Sequence, residues 1–133
     1  MVPDSLDGAV RAFAFGLPEA WEDHPWGDTV AKVGKKIFVF LGEEAPADGG
    51  CWLGVKLPES KELALALSFV KPMGYGLDRG GWVGIQAPPD VPLEMLLGWV
   101  EESYRAVAPK PLVARLDAEL DAQPDARRDA KGT

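Results

Sequence analysis

Three kinds of side chain in this sequence carry chemistry: one histidine, one cysteine, and lysines set among tryptophans. His24 lies in Asp23-His24-Pro25-Trp26, where a neighbouring carboxylate can orient an imidazole. A transition-metal site needs further nitrogen or sulfur ligands, and the chain has neither a second histidine nor a second thiol, so no metal is assigned. A general base needs a nucleophile beside it. Ser5, Ser60, Ser68, Ser103 and Cys51 fall in no nucleophile-elbow or Cys/His pattern, so no catalytic residue and no cofactor is assigned, and the reading leans away from an enzyme. Ser103, beside Tyr104, is expected to hydrogen-bond back into its own helix. Cys51, at the start of an apolar strand, is expected to be a small buried hydrophobe.

The lysines offer a second chemistry. Lys32, Lys35 and Lys36 flank one turn, Lys56 sits on a neighbouring strand, and Lys71 and Arg79 frame a glycine-rich segment. Gathered on one face, these cations would meet phosphates, with Trp52 or Trp82 stacking on bases. Spread out, Lys32 and Lys56 are solvent-side partners across a sheet, and Lys35 and Lys36 guard a turn against edge pairing. Overall charge opposes an anionic partner: 14 basic residues face 21 acidic ones, for a net charge of −7. Any anion site must therefore be local. Gly74-Tyr75-Gly76-Leu77-Asp78-Arg79-Gly80-Gly81 follows a helix and precedes a strand, the reverse of a phosphate-binding loop, so positive backbone angles and packing of Tyr75 and Leu77 on the sheet are expected. Five tryptophans are too many for one small core to hide. Alternation sets Trp52 opposite Cys51, Leu53 and Val55, which suits a groove beside Lys56 for a ligand, peptide or partner subunit.

The elements that must position these residues follow from hydrophobic period and turn residues. Asp4 or Ser5 caps a first helix near 4–15, with Leu6, Val10, Phe13 and Leu17 at helical spacing, and Gly16 and Pro18 stop it. Trp21, Val30 to Val33, Ile37 to Leu41 and Cys51 to Val55 read as a meander of short strands with turns at Gly27-Asp28 and Gly34-Lys35-Lys36. Pro58-Glu59-Ser60 opens a second helical stretch reaching Phe69, Lys71 to Gly81 reads as loop, and Trp82 to Gln86 reads as the last strand, closing the sheet. The strongest helix spans 91–107, with Asp90 as cap, Leu93, Leu96, Leu97, Val100, Tyr104 and Val107 as its apolar stripe, and an outer Glu101–Arg105 pair. Pro109 and Pro111 precede a short amphipathic piece from Leu112 to Leu120.

This order resembles the MmcQ/YjbR family, small bacterial proteins of CyaY-like α+β fold. The residues that carry the resemblance run from Leu17-Pro18-Glu19 and His24-Pro25-Trp26-Gly27 through Lys32-Val33-Gly34-Lys35-Lys36-Ile37-Phe38 and Val55-Lys56-Leu57-Pro58. They continue in Gly74-Tyr75-Gly76-Leu77, Gly81-Trp82-Val83 and Glu102-Ser103-Tyr104. The resemblance implies the fold and a DNA-binding label that rests on a double-wing description of shape. The related frataxin-like fold implies iron held by acidic residues, for which this chain offers only Asp4, Asp7, Glu19, Glu22 and Asp23.

One domain over residues 1–120, a two-layer α+β sandwich of twisted antiparallel sheet against helices, is thus expected, with 121–133 a disordered polar tail. A single cysteine excludes a disulfide framework, and neither a signal segment nor a bilayer-spanning run is found, so a cytoplasmic monomer or weak dimer off the membrane is expected. The expected function is DNA binding without catalysis, through Lys32, Lys35, Lys36, Lys56, Arg79, Trp52, Trp82 and Tyr75. The alternative is a protein- or small-ligand-binding adaptor using the open aromatic sheet face.

Overall fold

The computed structural model describes residues 5–25, 27–42, 46, 48–74 and 76–122. Ser5 opens α1 (Leu6–Phe15): from an extended backbone its Oγ accepts the Gly8 N–H at 3.0 Å, satisfying a donor that the first helical turn leaves free. Gly16 ends the helix, as its sequence position predicts. The meander follows as β1 (Ala20–Asp23), β2 (Thr29–Val33), β3 (Lys36–Gly42) and β4 (Cys51–Lys56). Gly34 turns β2 into β3 at φ 61°, a conformation that glycine adopts without strain.

Beyond β4 the sequence reading needs correction. The second helical stretch is short, α2 (Lys61–Leu65), and the expected loop contains β5 (Val70–Pro72) and a 3-10 turn at Leu77–Gly80. The next strand, β6 (Trp82–Ala87), does not close the sheet. Strand order is β1-β2-β3-β4-β6-β5, every pair antiparallel, so β6 is internal and β5 forms the edge. Three residues ending in a proline, which has no N–H, make an edge that resists further pairing.

α3 (Leu93–Val107) and α4 (Lys110–Asp121) complete the fold. Pro92, not Asp90, occupies the N-cap of α3, and no side chain caps it. The Glu101–Arg105 pair forms at 3.0 Å, and Arg105 also reaches Asp117 of α4 at 2.8 Å. Of the tail expected over 121–133, Asp121 still belongs to α4 and Ala122 caps it, and the residues from 123 onward lie outside the described residues.

The helices α1 and α3 lie on one face of the sheet, where Phe38, Leu53, Val55, Ile85, Leu96 and Tyr104 are fully buried. Strict alternation along β3 would put Phe38 and Phe40 on the same side. A register shift against β2, which leaves Phe38 as an extra residue between Ile37 and Val39, breaks it, so Phe38 meets Tyr104 edge-on at 5.2 Å in the core while Phe40 meets Trp82 at 5.3 Å on the other face. Among the described residues no helix is long and apolar enough to cross a membrane.

Candidate functional site

The sheet face turned away from the helices is set by register. Trp52, Gly54 and Lys56 of β4 stand opposite Gln86, Gly84 and Trp82 of β6, and Phe40 of β3 stands opposite Gly54. Because Cys51, Leu53 and Val55 point into the core, the intervening residues face outward, as alternation predicts. Trp52 and Lys56 border a groove of about 1170 Å³ that Phe40, Trp82 and Met73 also line.

Four of the expected contact residues, Lys32, Lys35, Lys36 and Lys56, line this one groove. Three strands bring them together, Lys32 on β2, Lys36 on β3 and Lys56 on β4, with Lys35 in the turn between β2 and β3. Lys32 is held twice: its Nζ donates to Asp23 at 3.0 Å and lies 5.1 Å from the centre of the Trp21 ring. Trp21 is pinned in turn, its Nε1 donating to the Gly34 carbonyl at 3.0 Å. The Lys32 hydrogen bond, with help from the His24 amide, holds the Asp23 carboxyl below the usual carboxylate range. Lys35, Lys36 and Lys56 make no ion pair among the described residues.

Trp52 and Trp82 are both in the groove, Arg79 is not, and Tyr75 lies outside the described residues. Arg79 is exposed on the 3-10 turn. Leu77, from the same turn, does reach the groove. Sequence reasoning missed Phe40, Ile37 and Met73 as lining residues. Phe40 was hidden by the β3 irregularities, and a methionine before a glycine run carries no signal of its own.

The other chemically capable residues are arranged differently from expectation. Asp23 accepts the backbone N–H of His24 at 2.9 Å and leaves the imidazole to others. Glu22 lies 2.8 Å from Nε2, and Thr29 Oγ1 lies 3.3 Å from Nδ1. Ser103 does not bond into its own helix: its Oγ donates to the Phe38 carbonyl and accepts the Lys56 N–H at 2.8 Å, fixing the inner backbone of β3 and β4. Cys51 is fully buried, and burial pushes its thiol up to about 12, far from a reactive thiolate. Among the described residues no group of three or more His, Cys, Asp or Glu side chains is placed to hold a metal ion. Of the acidic residues on the first helix, Asp7 is spent on Arg11 at 2.8 Å.

Fold and face together define a two-layer α+β domain with helices behind a six-stranded sheet and an aromatic, lysine-bordered groove in front. The YjbR family model matches residues 15–106, and the chain belongs to that family. It is also similar to the crystal structure of Deinococcus radiodurans protein DR2400, of family-model domain DUF419, at 26% identity and a TM-score of 0.65 over 90% of this chain and 91% of that one. No curated protein matches it.

Proposed function

We propose that this protein binds single-stranded DNA, without catalysis, on the open face of its sheet. The observation that carries the reading is the convergence of Lys32, Lys35, Lys36 and Lys56 on one groove whose floor is Trp52, Trp82 and Phe40. Cations track a phosphate backbone, and exposed indole faces stack on bases, which a duplex keeps paired and stacked internally. A second reading, a small aromatic anion as ligand, is favoured by the concavity and mostly apolar lining of the groove.

Fluorescence anisotropy with labelled single- and double-stranded DNA, at low and at near-physiological salt, separates these readings. Micromolar binding of the single strand that weakens with salt, and is lost in the double variant Lys32→Glu, Lys56→Glu, is the expected outcome. Absence of binding at low salt would sink the DNA reading and leave the small-ligand reading standing.

A further inference from the structure

One row of the open face lacks side chains at its centre. Phe40, Gly54, Gly84 and Lys71 stand side by side across β3, β4, β6 and β5, so the two middle positions present bare backbone. Trp52 on one side and Trp82 on the other flank the resulting trench. Met73 fills it: a Cβ at Gly54 would fall 2.8 Å from the Met73 Sδ, and one at Gly84 would lie 3.7 Å from its Cγ and 3.8 Å from the Trp52 ring. Met73 and Trp52 line both the main groove and a smaller one of about 410 Å³ that runs toward Phe69, Lys71 and Gln86. Met73 thus divides a single longer channel.

The plug is built to move without disturbing the sheet. The Met73 backbone is fixed, its N–H donating to the Trp82 carbonyl at 3.2 Å, so only an unbranched thioether side chain with three rotatable bonds needs to swing. What replaces it must be flat, because the floor is peptide backbone and the walls are an indole and the Phe40–Trp82 edge pair at 5.3 Å. It must also carry or adjoin negative charge, because Lys56 stands beside Trp82 at one end and Lys71 closes the row at the other.

We propose that the trench over Gly54 and Gly84 is the subsite that receives one unpaired base of a DNA strand, and that Met73 is the side chain this base displaces. This rests on the single-strand reading above and adds to it where a ring enters and what yields.

The test compares labelled oligothymidine of about twelve nucleotides with an abasic strand of equal length and charge, so that phosphate contacts are held constant. The unaltered protein is expected to bind oligothymidine about tenfold more tightly than the abasic strand, the scale of one base stacked on aromatic rings. Met73→Ala, which empties the trench, should tighten oligothymidine several-fold and leave the abasic strand unchanged. Gly84→Val, which fills it, should abolish the preference while abasic binding persists. If Gly84→Val lowers the melting temperature, Gly84→Ala serves, since its methyl meets neighbours only at ordinary contact distance. Equal binding of both strands, a preference that survives filling, or no gain in Met73→Ala would overturn base insertion while the phosphate-binding reading stands. Failure of both strands to bind at low salt overturns both.

Discussion

Three consecutive residues of α3 show how individual side chains hold the binding face in place. Glu102 accepts from the Glu59 and Ser60 amides, Ser103 joins the Phe38 carbonyl to the Lys56 N–H, and the Tyr104 hydroxyl donates to Pro18 at 2.7 Å. The family resemblance drew attention to this triplet, but sequence could not show its bonds, which span from 42 to 86 positions along the chain. Removing the Ser103 hydroxyl orphans a buried carbonyl and a backbone N–H together, so Ser103→Ala is expected to cost about 2–3 kcal/mol in urea unfolding. Because Lys56 is the residue so anchored, its contribution to anion binding should fall as well. Cys51 gives the pH-dependent expectation. Its thiol is raised by burial from 9.0 to about 12, so the protonated form contributes stability that is complete below pH 9 and fades as pH rises toward 12. A disulfide reagent at pH 8 should therefore leave the native protein unmodified and label it fully in denaturant; labelling of the native thiol would contradict the burial.

At the scale of elements, what could be read depended on length and period. α1 and α3 carry long apolar stripes and were legible, and so were β4 and β2, the latter with the glycine that turns it into β3. β5 was not, because Val70-Lys71-Pro72 is too short to show alternation and ends in a residue that propensity assigns to turns. The β3 irregularities were not either, since an extra residue in one strand is invisible until its partner is known, and they decide that Phe40 belongs to the groove. α2 is one short helix whose place depends on tertiary contacts: Glu102 of α3 accepts from Glu59 N–H at 2.9 Å, Ser60 N–H at 3.0 Å and Ser60 Oγ at 2.7 Å. Without that carboxylate the segment loses the group that stands in for a missing side-chain cap. Glu102→Ala is expected to destabilise the fold by about 1–2 kcal/mol. It should also speed amide exchange at Glu59 and Ser60 ahead of the sheet; uniform exchange along the chain would show that α2 is held by packing alone.

For the whole molecule the governing fact is a mismatch between total and local charge. A chain of net charge −7 presents four lysines around one groove, and among the described residues only Lys32 of these is engaged by a carboxylate. The lysines could be named from the sequence because they flank a turn and a neighbouring strand, whereas their shared groove depends on the β2–β3–β4 register, and Arg79 fell outside it for lack of any such constraint. Near physiological salt the Debye length is about 8 Å, so acidic residues on the helix side are screened from the groove while contacts within it are not. Salt dependence then counts phosphates. Each phosphate neutralised on a single strand contributes about −0.7 to the slope of log K against log salt, so three or four lysines give about −2 to −3. Lys35→Ala, which removes an exposed cation without touching the groove floor, should reduce that slope by about 0.7 and leave the preference for bases over abasic sugars intact. A slope twice as steep would mean that the strand runs well past the groove onto other cations, and a slope near zero would mean that stacking on Trp52 and Trp82 alone holds the ligand, as a small uncharged aromatic compound would be held.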